Sequence, residues 1–336
     1  MMRKTLLPLA IAAALPAVAV ADEEVTIYGR AHVSVDYLDD GADYSKINMA
    51  SNSSRLGFRA QREFDGVTAV MQIEQEIDYS NSGSSWASRD TYVGLRGDFG
   101  MLRAGKFDTP FKRARGPANL FGDQVGDMRN LTRVGDARFD ERAPNTIHYQ
   151  TPALSGLQFN LAYSLHEGDD ADDDGSDGAY SASATWKEGN FDIAVAYEKF
   201  EKNRSRGGRD AIRLAAGYTI GKANLVGFYQ TADHDVEAFD SDLYGLGASY
   251  KLTDKTAFKA HYLVRSADLA AADSDMLAAG VEHHLGSQLR VYANYAIVSN
   301  EDNANLTPWN QGRTTRTPGS PGDKASGLSL GLRFDF

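Results

Sequence analysis

Leu328-Ser329-Leu330-Gly331-Leu332-Arg333-Phe334-Asp335-Phe336 alternates without a break. Leu328, Leu330, Leu332, Phe334 and Phe336 fall on one side of an extended strand, and Ser329, Gly331, Arg333 and Asp335 fall on the other. A strand with one wholly apolar face needs something oily against it. Many other segments repeat the pattern, so lipid is the expected partner and these five residues are the expected membrane-facing set of the last strand.

The opposite end of the chain fits export. Arg3 and Lys4 precede an apolar stretch from Leu6 to Val20, and Ala19-Val20-Ala21 stands before Asp22. This is the pattern of a cleaved signal peptide, assigned to 1–21, with 22–336 as a single domain. Removing 1–21 takes two positive charges from a net charge of −11 and leaves −13. So acidic a chain is no general binder of a nucleic-acid backbone. It has no cysteine, hence neither disulfides nor thiolate chemistry. After residue 21 no apolar run approaches the length of a membrane helix, and a membrane protein without such helices must close its backbone hydrogen bonds in a barrel.

Segments of period two mark sixteen candidate strands, at about 24–38, 53–62, 66–79, 88–98, 100–108, 142–151, 156–166, 178–188, 190–201, 209–219, 222–234, 241–252, 255–266, 275–285, 287–299 and 326–336. Their connectors alternate in length. Glu63-Phe64-Asp65-Gly66, Gly97-Asp98-Phe99-Gly100, Glu188-Gly189-Asn190 and Gly221-Lys222 are tight turns, whereas the links between them run from about nine to over thirty residues. The expected fold is therefore all-β: a transmembrane, sixteen-stranded antiparallel barrel with short turns at one end and long loops at the other. Val25, Ile27, Val33, Val35 and Tyr37 oppose His32, Ser34 and Asp36, and Leu157, Phe159, Leu161 and Tyr163 oppose Gln158, Asn160 and Ser164. On the other face, Arg30, Asp36, Lys187, Arg290, Arg333 and Asp335 would be costly in a dry interior, so a wet one is expected. The segments 88–98, 100–108 and 222–234 do not sort by face.

Tyr28-Gly29-Arg30, Ser54-Arg55-Leu56-Gly57-Phe58, Arg89 ahead of Tyr92-Val93-Gly94-Leu95, Phe99-Gly100 followed by Gly105-Lys106, and Arg142 with Asn145-Thr146-Ile147-His148-Tyr149 occur in this order before the terminal phenylalanine. In these residues the chain resembles the general diffusion porins of Gram-negative outer membranes, over essentially its whole length after residue 21. The resemblance implies a homotrimer in the outer membrane, among lipid and lipopolysaccharide, reached through the barrel assembly machinery by way of the C-terminal strand. It implies passage of small hydrophilic solutes, and a third loop, here 109–141, folded inward to narrow the pore. It also implies a transverse field between a basic wall, Arg30, Arg55, Arg89 and Arg142, and acids on that loop. Asp123, Asp127, Asp136 and Asp140 are the candidates, Asp123 and Asp127 foremost. Where the family often has glutamate before Phe-Gly, Leu120 precedes Phe121-Gly122.

A loop of that length is seldom an idle connection, and its Phe111, Leu120, Phe121, Val125, Met128, Leu131 and Phe139 can pack against a wall. The net charge sets an expectation of weak cation preference. Asp170, Asp172 and Asp174 with Gly175 have the spacing of a calcium loop, but Ser181 stands where a glutamate is needed; the expectation there is at most a weakly held divalent cation. His283 and His284 face opposite sides of a strand, and no cofactor is expected. A substrate-specific channel and an outer-membrane barrel hydrolase are the alternatives; nothing selects a catalytic triad. The last loop, 300–325, is expected to be a mobile outer cap.

Overall fold

A computed structural model describes residues 23–80, 87–165 and 178–336. The expected signal peptide lies outside them. Strands β1 (Glu23–Asp39), β2 (Ser45–Ser51), β3 (Arg55–Phe64), β4 (Val67–Glu76), β5 (Thr91–Gly97) and β6 (Gly100–Asp108) precede two short helices, α1 (Pro110–Arg113) and α2 (Arg129–Thr132). Then follow β7 (Arg142–Gln150), β8 (Leu157–Ser164), β9 (Ala179–Glu188), β10 (Phe191–Phe200), β11 (Arg209–Ile220) and β12 (Ala223–His234). Strands β13 (Ser241–Lys251), β14 (Thr256–Ala267), β15 (Ser274–His284), β16 (Leu289–Asn300) and β17 (Lys324–Asp335) complete the chain.

The sheet closes on itself. Antiparallel β1 pairs with β17, from Arg30 opposite Asp335 to Asp39 opposite Ser326. At the seam the Gly29 amide donates to the Phe336 carbonyl at 2.9 Å, and the Phe336 amide donates back at 3.1 Å. On its other edge β1 meets two segments in turn, β2 along Val33 to Asp39 and β3 along Glu23 to Arg30. β2 and β3 are therefore halves of one barrel strand, and the barrel has sixteen strands, as the alternation indicates. Ser54 makes the break. Its hydroxyl receives the His32 amide and donates to the His32 carbonyl, both at 2.9 Å, in place of the missing ladder bonds. The Ser/Asn-rich run 51–54 hid the upper half of this strand from a search by period.

The alternation holds on the outer face. Ile27, Val93 and Leu330 are 60%, 62% and 59% exposed, and dozens of large apolar side chains share that surface. A continuous apolar band of this size is stable against hydrocarbon rather than water. Aromatic rings gather near the turn end: Trp186 stacks on Phe191, and Phe334 on Phe336.

The three unsorted segments have physical reasons. β6 keeps its parity, but Phe107 is buried on the inner side while Lys106 falls on the outward parity; in its partner β7 the register shifts opposite Gly105 and Phe107, where Asn145 takes φ +49°. In β5, Val93 and Leu95 face outward while Tyr92 and Arg96 share the inner side with their cross-strand partners Gln72 and Thr68. β12 is apolar on both faces because loop 109–141 lies against its inner side. Val226 and Phe228 pack there with Met128 and Leu131.

That loop divides the interior. Phe111 and Phe139 pack on β9 to β12, Met128 and Leu131 on β11 to β16, and Phe121 and Val125 on Leu38, Ala278, Ala296 and Trp309. Each such buried side chain contributes about 1.5–3 kcal/mol. The interior is consequently dry where the loop covers the far wall and polar along β3 to β7, a refinement of the uniformly wet lumen expected from the charges.

Candidate functional site

The chain leaves β6 into α1 through Thr109, whose hydroxyl accepts the Lys112 amide at 3.2 Å, with Pro110 in the first helical position. Farther on, the loop is bolted to the barrel. Asp140 takes Arg213 of β11 at 2.7 Å and Arg115 at 3.0 Å. Lys259 of β14 donates to the Leu120 carbonyl at 3.0 Å and to Gln124 at 2.7 Å, and Asn294 of β16 donates to the same Gln124 oxygen at 2.7 Å. Asp127 organises the turn before α2, accepting the amides of Arg129 at 2.8 Å and Asp123 at 2.7 Å.

Between this loop and the β3–β7 wall lies a cavity of about 460 Å³. Arg55, Arg89 and Arg142 of the expected basic wall line it. Arg89 bonds Glu74 at 2.6 Å, and Arg142 bonds Asp90 at 2.6 Å and Asp108 at 2.8 Å. Arg30 stands at the edge, held by Asp335 at 2.7 Å and 3.6 Å from Asp123. Of the expected loop acids, Asp123 alone faces the wall, within 4.0 Å of Arg55 as well. It is presented with φ +61°, a conformation aspartate tolerates, and Ser53 from the β2–β3 break donates to it at 3.1 Å. Asp127 is fully buried in an ion pair with the loop's own Arg129, Asp140 is fully buried against Arg213 of β11, and Asp136 turns toward Arg206, 3.8 Å away.

The expected opposition of basic wall and acidic loop is thus corrected. The loop itself sends Lys112, Arg115, Arg129, Arg133 and Arg138 to the cavity, and Arg316 comes from the last loop. In all, nine cationic and three acidic side chains line it, so the space is basic on every side while most acids sit behind the lining. These loop cations were visible in the sequence; what hid their role was which side of an irregular loop they would take.

Electrostatics follow. Burial alone would raise the carboxyls of Asp123 and Asp140, but Arg129, Arg55 and Arg30 hold the first well below the usual carboxylate range, and Arg213 and Arg115 do so for the second. Both remain ionised at any ordinary pH. Burial pulls the Lys112 ammonium down to about 8, opposed by Asp108 at 2.8 Å and reinforced by Arg142 and Arg115. Burial likewise lowers Arg138 to about 10, with Arg133 beside it.

The last loop is no outer cap. Trp309 is completely buried, its indole N–H donating to the Thr317 carbonyl at 3.0 Å, and the Pro308 carbonyl accepts the Gly126 amide at 2.8 Å. Arg313 forms a buried ion pair with Asp36. Gln311 receives Arg133 at 3.0 Å, and the Gly312 carbonyl accepts from Ser53 at 3.0 Å. Asn310, Gln311, Gly312 and Arg316 line the cavity, so two loops make the neck.

Asp170, Asp172 and Asp174 lie outside the described residues. Among those described, no group of three or more His, Asp and Glu side chains is arranged to hold a metal ion.

A family model described as Gram-negative porin matches residues 9–303. The major outer membrane protein P.IB of Neisseria meningitidis serogroup B is 28% identical over 231 residues, covering 65% of this chain and 66% of that protein. The chain spans 57% of the length of the same protein from another strain. The solved anion-selective porin from Comamonas acidovorans superposes with a TM-score of 0.80 at 24% identity, over 94% of this chain and 100% of that one. The trimer form of OmpT, an outer membrane protein of Vibrio cholerae, gives 0.69 at 20% identity, again over 94% and 100%.

Proposed function

Since this chain belongs to the Gram-negative porin family, a family of outer-membrane channels, we propose that it is a passive diffusion pore for small hydrophilic solutes and that it prefers anions. The observation that carries the preference is the lining of the neck, with nine cations against three acids around about 460 Å³. A round space of that volume is about 10 Å across, so an ion at its centre lies about 5 Å from the lining, inside the screening length of about 8 Å at physiological salt, and interacts with the whole ring. Net charge, the basis for expecting weak cation preference, sums every residue of the chain wherever it lies, whereas an ion in the neck is nearest the lining. The lining therefore outweighs it. The anion-selective neighbour supports the same sign.

We read the outer face as meeting lipid and lipopolysaccharide and, with the trimeric OmpT as support, partly a second and third copy of the chain. Docking of the C-terminal strand on the barrel assembly machinery belongs to the same reading. Purified protein in a planar bilayer tests it: stepwise ohmic conductance, reduced by small sugars that enter the neck, is the expected result. Absence of conductance together with hydrolase activity would favour the enzyme alternative.

A further inference from the structure

Beyond the neck, toward the short turns, the inner wall holds a second cavity of about 320 Å³ lined by Thr26, Arg59, Gln61, Tyr92 and Arg96. Arg59 lies four residues past the neck's Arg55 on β3, about 13 Å farther along the strand. Two features separate its arginines from those of the neck. First, they are oriented. Arg59 lies over the Tyr28 ring at 4.0 Å, with its Nε donating to Gln72 at 3.0 Å, and Arg96 donates to Gln61 at 3.0 Å. Second, every one of these partners is neutral. Among the described residues neither Arg59 nor Arg96 forms an ion pair, whereas Arg55, Arg89 and Arg142 all do. Both side chains are exposed to the lumen.

Neutral partners fix a guanidinium without cancelling its charge, which leaves the fork ready for an external oxyanion. Arg96 reaches across β4 to Gln61, two residues from Arg59 on the same face of β3, and both arginines line the one cavity. Tyr92 bounds the site with an aromatic face.

We propose that Arg59 and Arg96 form a second anion station on the turn side of the pore, taking a small oxyanion of the phosphate or carboxylate class after it has passed the neck. This rests on the reading of the chain as an anion-preferring channel, and its test can fail separately. Inorganic phosphate is titrated into each chamber in turn while chloride current is recorded through single channels. Phosphate blocks more strongly from the turn side in the natural protein. The double variant R59Q/R96Q weakens that block by about tenfold. Should the double variant give no channels, the single variants R59Q and R96Q carry the same readout, each with a smaller shift. An unchanged blocking concentration in the variants, or equal block from both chambers in the natural protein, overturns the station. A zero-current potential of cationic sign overturns the reading of the neck instead.

Discussion

Arg213 Nη1 lies 2.7 Å from Asp140 Oδ1, and neither side chain keeps any exposure to solvent. One belongs to β11 and the other to the end of the constricting loop, so this pair joins the loop to the wall opposite the neck. Removing one partner of a buried pair strands the other charge and costs about 3–5 kcal/mol. Asp140→Ala should therefore release the loop, seen as protease cleavage within 109–141 and as flickering of single-channel current. Arg115→Ala, which leaves the Arg213 contact in place, should do so much less. Equal and intact protection in both variants would contradict the role given to the pair.

Asp123 is the sole acid of the loop that faces Arg30 and Arg55. In a water-like medium a unit charge about 4 Å from an ion's path is worth about 1 kcal/mol, roughly fivefold in local occupancy. Asp123→Asn should raise the chloride-to-potassium permeability ratio, by at most about the square of that factor because the charge acts on the two ions with opposite sign. Arg142→Gln should lower it. Both are read from the zero-current potential in a salt gradient, and a shift of opposite sign in either would count against the assignment.

Lys112 gives the neck a pH dependence. Its ammonium, drawn down to about 8 by burial, is cationic below that value and neutral above it. Chloride preference should accordingly fall as pH rises from 7 to 9, and Lys112→Gln should be flat over the same interval, at the level the natural protein reaches at high pH. A natural protein whose selectivity does not change across this range would exclude Lys112 as a determinant.

Trp309 pins the last loop inside the barrel. Truncating so large a buried side chain costs about 3–5 kcal/mol and removes the loop's apolar anchor against Leu38, Phe121 and Val125. Trp309→Ala should increase single-channel conductance, since Gln311 and Arg316 would leave the neck. Unchanged conductance would mean that the polar contacts of the loop, the Arg313–Asp36 pair among them, hold it without the indole.

The barrel was legible because its outer side faces one uniform solvent: hydrocarbon imposes the same demand on every strand, and Leu328 to Phe336 states it without exception. Where a second demand intervenes the reading fails. Val226 and Phe228 obscured β12 because they serve the loop inside, and Asn145 changes parity in mid-strand. In the neck, Arg55 and Arg142 open β3 and β7 and Arg89 stands just ahead of β5, and all three line the cavity. Asp127 was expected to face that wall, yet its carboxylate turns back to receive the Asp123 and Arg129 amides. Period-two reasoning has no purchase on an irregular loop, and Trp309 in a polar run gave no sign that its loop turns inward.

Zero-current potential across a bilayer holding the purified protein in a gradient of potassium chloride tests the central claim most directly. A basic neck open to water predicts ohmic channels and a potential of the sign set by chloride, smaller in Arg142→Gln. A potential set by potassium, or no conductance from correctly folded barrels, would contradict it.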